Sequence, residues 1–170
     1  MNVQTIVHYT SGQWRDCKAE SEISKAMYAV RGWYKTQLGV TFRLKRQQVH
    51  RYSKEGWHWT DALTEWAGPN LCDNQTVFVS FSVGPPWQGG AYGADVWGCG
   101  FSTPGRVGGY WNAETNPTGL RGWLSHELGH AFRLGHTDPP ADNIMWMGHT
   151  TWPNTYFVDA DKTQLIALLG

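Results

Sequence analysis

The stretch "HELGHAFRLGH", residues 126–136, constrains this chain more than any other. On a helix, residues four apart share one face, so His126 and His130 point the same way. Two imidazoles so placed can share a Zn²⁺ ion at about 2.0–2.1 Å each. Glu127 is rotated by about 100° from His126, beside such an ion but not on it. There it can take a proton from a zinc-bound water, the general-base role in hydrolysis. His136 follows six residues after His130 and would be turned away by about 240° on a continuing helix. It reaches the same ion only if the helix stops just after Phe132 and the chain turns back.

Glycine is the usual residue for such a break, because it takes a positive φ at no steric cost. Here residue 133 is an arginine, and a glycine stands instead at 135. Either Arg133 itself turns left-handed, at about 1–2 kcal/mol, or Gly135 takes the turn later. The first cost is small beside the roughly 10–16 kcal/mol that structural zinc binding supplies. The second would displace His136 and make Asp138 the next candidate ligand. The expectation is that His136 binds and that the helix ends at or just after a left-handed Arg133.

The long zinc motif together with "DNIMWMG" (142–148) resembles the metzincin metallopeptidases, in which a methionine turn follows beneath the metal. Within that clan the chain is most similar to the matrixins, the catalytic domains of matrix metalloproteinases. Residues 120–148 carry the specific match, and the rest agrees in order and spacing, including the closing "DADKTQLIALLG". The resemblance implies an α+β, zincin-like fold. Its parts are a twisted, mostly parallel five-stranded sheet, two long helices and a small C-terminal subdomain carrying the methionine turn and a closing helix. It places residues 1–136 in an N-terminal subdomain and 137–170 in a C-terminal one. It further implies one catalytic Zn²⁺ held by His126, His130 and His136, with Glu127 as the catalytic base.

Met145 fits the methionine turn better than Met147. With Met147 in that role, His149 would fall where some metzincins place a tyrosine ligand. The resemblance also implies cleavage of extended peptides that pair with an edge strand, expected within residues 91–103. Trp97, Trp146, Trp152 and Tyr156 are the expected substrate-pocket residues. The family's inhibitory propeptide cysteine is absent from this chain. His50, His58, Asp73 and Asp95 match no structural zinc or calcium site, so calcium stays unassigned.

Elsewhere the hydrophobic pattern sets the elements. "VQTIVHYT" (3–10) reads as a strand. From Glu20 to Leu38, Ile23, Ala26, Met27, Val30, Trp33, Tyr34 and Leu38 form one helical stripe that Gly39 can end. "VTFRLKRQQVHRY" alternates as a second strand with one wet face, and "TVFVSFSV" (76–83) reads as a buried strand. Residues 84–109 predict short strands between wide loops, and "GGYWN" (108–112) a last strand. Asn116 or Thr118 can cap the active-site helix, and Asp159 or Asp161 the closing one. No repeat or linker divides the chain, and 170 residues suit one domain.

Zero net charge and no block of like charges argue against nucleic acid as a partner. No apolar run approaches the roughly 18 residues needed to insert in a membrane. Eleven Trp and 20 Gly with only 16% charged residues suit a secreted protein that handles extended polymers. The start at Met1 does not read as a signal peptide. Most of the tryptophans are expected in the core, since Trp is highly buried on average. Cys17, Cys72 and Cys99 allow one disulfide, Cys72 with Cys99, or three free thiols. The function expected is a monomeric zinc endopeptidase acting on protein or peptide substrates. The alternative is a zinc-loaded, Trp-rich module that binds a glycan or protein without cutting it, although a pure binder has no need of Glu127.

Overall fold

The computed structural model describes residues 1–53, 59–68, 74–84, 93–95, 105–137, 142–146 and 152–170. Its elements run β1 (Asn2–Thr10), α1 (Cys17–Leu38), β2 (Arg43–Leu44), β3 (Gln48–Tyr52), α2 (Trp59–Ala67) and β4 (Thr76–Val83). They continue with β5 (Gly93–Asp95), β6 (Arg106–Trp111), α3 (Pro117–Ala131) and α4 (Asp159–Leu169). The result is the mixed, mostly parallel zincin-like α+β fold that the sequence led us to expect.

β1 lies next to one edge of the sheet and pairs in parallel on both sides. β4 and β6 follow on one side, also parallel, and β5 lies antiparallel against β6. β2 and β3 share the other edge, so six strands fill five positions. The expected continuous second strand is therefore interrupted at residues 45–47. Side-chain amides take over there: Gln4 Nε2 donates to the Arg46 carbonyl at 2.9 Å, and Gln47 Nε2 to that of Glu20 at 3.0 Å.

Strand alternation divides the core in two. Val3, Val7 and Tyr9 of β1 join Val77, Val79, Phe81 and Val83 of β4 beneath α1 and α3. Every member of the predicted stripe on α1 is buried there. That helix is capped at Asp16, which accepts from the Lys18 and Ala19 amides, and it ends at Gly39 with φ 74°. The first helical residue, Cys17, is exposed with a free thiol. Cys72 and Cys99 lie outside the described residues.

The other face packs Ile6 and Tyr110 against Trp59 and Leu63 of α2, a helix the sequence pattern did not reveal. Trp59 lies so close over Gly108 of β6 that a Cβ there would overlap its ring. The Ser80 hydroxyl on β4 donates to the Trp59 carbonyl at 3.0 Å. α4 also departs from expectation. Its N-cap is Val158 without a side-chain cap bond, and Asp159 and Asp161 sit in the first turn. Acids so placed still favour the positive end of the helix, and Asp159 lies 3.7 Å from Lys162. No described helix is long and apolar enough to cross a membrane.

On the α2 face, His8 Nδ1 lies 3.0 Å from His50 Nδ1, and His50 Nε2 lies 3.4 Å from Glu65. Glu65 calls for a proton on His50 Nε2, so the proton between the rings belongs to His8. Burial, and then the neighbouring His50, push the His8 imidazole down to about 3. Below pH 6.5 the unfolded chain therefore binds a proton that the folded chain refuses. Stability then falls with pH by up to about 1.4 kcal/mol per unit, from about pH 6.5 down to about pH 3. Urea unfolding of native protein and His8→Asn between pH 7 and 4 checks this. The variant is expected to lose less stability than the native protein over that range, and parallel curves would refute it.

Candidate metal and catalytic centre

α3 presents the centre. Asn116 caps it, accepting from the Thr118 and Gly119 amides at 2.9 and 3.1 Å, and Pro117 follows in the first turn. Leu120, Leu124, Leu128 and Ala131 bury one side of the helix. His126 and His130 are thereby fixed one turn apart.

The helix ends at Ala131, Phe132 is its C-cap, and Arg133 has φ 73°. Arg133 is the one described non-glycine residue with a positive φ. Carbonyls freed by the break find donors: Leu134 N reaches Gly129 O at 2.9 Å, Arg133 N reaches His130 O at 2.8 Å, and Gly105 N reaches Ala131 O at 2.7 Å. Gln164 of α4 donates to the Arg133 carbonyl at 3.0 Å. A left-handed arginine thus does the work of a glycine, and Gly135 is not needed for the turn.

The consequence is convergence. His130 Nε2 lies 2.9 Å from His126 Nε2 and 3.1 Å from His136 Nε2. His126 Nδ1 faces the Ile144 carbonyl at 2.7 Å, and His130 Nδ1 faces that of Leu134 at 2.8 Å. A carbonyl oxygen only accepts, so both Nδ1 atoms carry the proton, and both Nε2 atoms turn lone pairs inward. Lone pairs facing one another at such distances repel unless a cation lies between them. Two nitrogens on a tetrahedral ion at about 2.05 Å stand roughly 3.3 Å apart, near the spacing here. These are the three residues, among those described, whose ligand atoms could hold a metal ion. The carbonyl partners also fix ring orientation, as in other metal sites.

Met145 is fully buried, and its sulfur lies so close to Gly129 that a Cβ there would overlap it. The methionine therefore sits against the helix at Gly129, between His126 and His130 in the chain. Its backbone is held by Asn143 Oδ1 at 3.0 Å and by Thr137 N at 3.1 Å, which ties the His136 segment to it. Burial pushes the Glu127 carboxyl up to about 7, against the lowering effect of a hydrogen bond from Trp123. That bond runs from the indole Nε1 to Oε1 at 3.2 Å, and the four-residue spacing of Trp123 and Glu127 is its one signal in the sequence. Burial pushes the His130 imidazole down, which favours its neutral form.

Of the expected pocket residues, Trp146 is half-buried and follows Met145 directly. Tyr156 exchanges backbone bonds with Asp142 and Ile144, at 3.0 and 2.9 Å. Trp152 is half-buried against the core, with the Arg121 guanidinium 5.7 Å from its ring centroid. Trp97, Asp138, Met147 and His149 lie outside the described residues. So do His58 and Asp73.

Fold and site together define a zincin-like α+β scaffold with a three-histidine cluster at the C-terminal end of its second long helix. No family model matches the chain, and no curated protein matches its sequence. Among solved structures it is similar to wild-type OgpA from Akkermansia muciniphila, with a TM-score of 0.65 over 97% of this chain and 15% sequence identity. The chain spans 59% of the length of that structure, and at this identity the likeness is one of fold.

Replacing Arg133 tests the break. Arg133→Gly removes about 1–2 kcal/mol of left-handed strain but adds about 0.5–1 kcal/mol of unfolded-chain entropy, so its stability rises by up to about 1.5 kcal/mol. Arg133→Val, β-branched and ill-suited to positive φ, loses stability and binds zinc more weakly. Urea unfolding and a competitive zinc chelator read both; equal values for the two variants would show that Arg133 does not set the turn.

Proposed function

We propose that this chain is a zinc-dependent endopeptidase of the metzincin kind, with the matrixin-like arrangement of ligands and methionine turn. The observation that carries the reading is the convergence of three histidine Nε2 atoms, with a buried carboxyl on the residue after the first. When bound, zinc supplies a Lewis acid that makes a coordinated water acidic near neutral pH.

The chain's own residues do the rest. His126, His130 and His136 hold the ion as neutral ligands. Glu127 accepts a proton from the attacking water and delivers it to the departing amide nitrogen as the C–N bond breaks. Burial in a half-apolar setting keeps this carboxyl a stronger base than a solvated one, which suits a group that must gain and lose a proton near neutrality. A bound dication would favour the carboxylate and draw that value down.

An extended substrate has a natural place to bind. β5 is antiparallel to β6 at one end of the described sheet, within the segment expected to pair with substrate. A peptide adding there would be held by main-chain hydrogen bonds. Trp146 and Tyr156, tied to the Met145 segment, are the proposed pocket wall. We read the protein as secreted, in keeping with its low charge and abundant tryptophan.

Incubation with a mixed peptide library, with and without a zinc chelator, tests the reading by mass spectrometry. Cleavage that the chelator abolishes is expected, and Glu127→Ala should lose about 10²–10⁴ in kcat while still binding one zinc. A zinc-loaded native protein that leaves every peptide intact would favour the non-cleaving binding module instead.

A further inference from the structure

We infer that Trp123 is a positioning residue for the reaction: its indole N–H fixes Glu127 Oε1, so that Oε2 is the oxygen that exchanges the proton with water. The inference rests on the hydrolytic reading above and deepens it. Three observations carry it.

The first is the bond itself, 3.2 Å from Trp123 Nε1 to Glu127 Oε1, along one face of α3. The second is that the donor is rigid. The Trp123 ring meets Phe81 edge to face, with centroids 5.9 Å apart, and Phe81 is fully buried on β4. The indole therefore braces Glu127 against the sheet as well as against its own helix. An indole has only two side-chain torsions, so packing on Phe81 leaves its N–H little freedom.

The third concerns what remains of the carboxylate. Among the described residues none hydrogen-bonds Oε2, whereas Oε1 is taken. A glutamate with three side-chain torsions otherwise swings its two oxygens interchangeably past the ion. With one oxygen held, the carboxyl plane is set before substrate arrives, and orientation of this kind acts on turnover more than on substrate binding. In this scheme Trp123 acts through Glu127 and not on the reacting bond.

The test removes the N–H and leaves the shape. Benzothienylalanine, which has sulfur in place of the indole nitrogen, is introduced at position 123 by stop-codon suppression, with Trp123→Phe as a second variant. A kcat lower by about tenfold to a hundredfold is expected, matching loss of one hydrogen bond to a charged group. KM, zinc content and thermal midpoint should stay near native in the benzothienyl protein. A kcat within twofold of native would overturn the proposal, as would a fall in zinc content that accounts for the lost activity. The second readout is independent of turnover: the indole ¹⁵N–H resonance missing from Trp123→Phe should move strongly in Glu127→Gln. An unmoved resonance overturns the bond itself. A native protein that shows the moved resonance but cleaves no peptide would uphold the contact and overturn the hydrolytic reading.

Discussion

One backbone turn governs the centre. Three imidazoles converge because α3 stops after Ala131 and the next residue but one, Arg133, takes φ 73°. The same turn serves two of the histidines. It reverses the chain toward His136, and it returns the Leu134 carbonyl to His130 Nδ1, which fixes that ring as well. A left-handed arginine costs about 1–2 kcal/mol. The partners supplied to the broken helix end, from Leu134, Gly105 and Gln164, offset part of that cost before any ion binds.

The surroundings of the centre follow from what the turn requires. Gly129 gives Met145 room to approach the helix from below, and the Ile144 carbonyl beside that methionine orients His126. The His136 segment is stitched to the Met145 segment through Thr137 and Asn143, and that in turn to Tyr156. The sheet also reaches Glu127: β4 packs Phe81 on Trp123, and Trp123 donates to Glu127. The three histidines and Glu127 are thus braced by different parts of the fold.

Much of this was legible in the sequence because it rests on local spacing. The four-residue interval of His126 and His130, the stripe on α1 and the alternation of β1 and β4 each report a face directly. Arg133 was legible as a conflict between a helix that must stop and a residue that resists stopping it. What escaped depended on distant partners. α2 is nine residues long, and its place is set by Trp59 over Gly108, a contact between segments far apart in the chain. The interruption between β2 and β3 came from side-chain amides of Gln4 and Gln47, which alternation cannot register. The cap of α4 was misread because two acids in its first turn looked like capping residues, whereas Val158 precedes them. The pair formed by His8 and His50 joins strands that no motif connects.

The central claim is that the break at Arg133 delivers His136 to the ion shared by His126 and His130. Anomalous diffraction from zinc-loaded crystals, recorded at the zinc absorption edge, tests it directly. The account predicts one strong peak within about 2.1 Å of Nε2 of all three histidines. A peak bound by His126 and His130 but not by His136, with Asp138 or another group in its place, would contradict it.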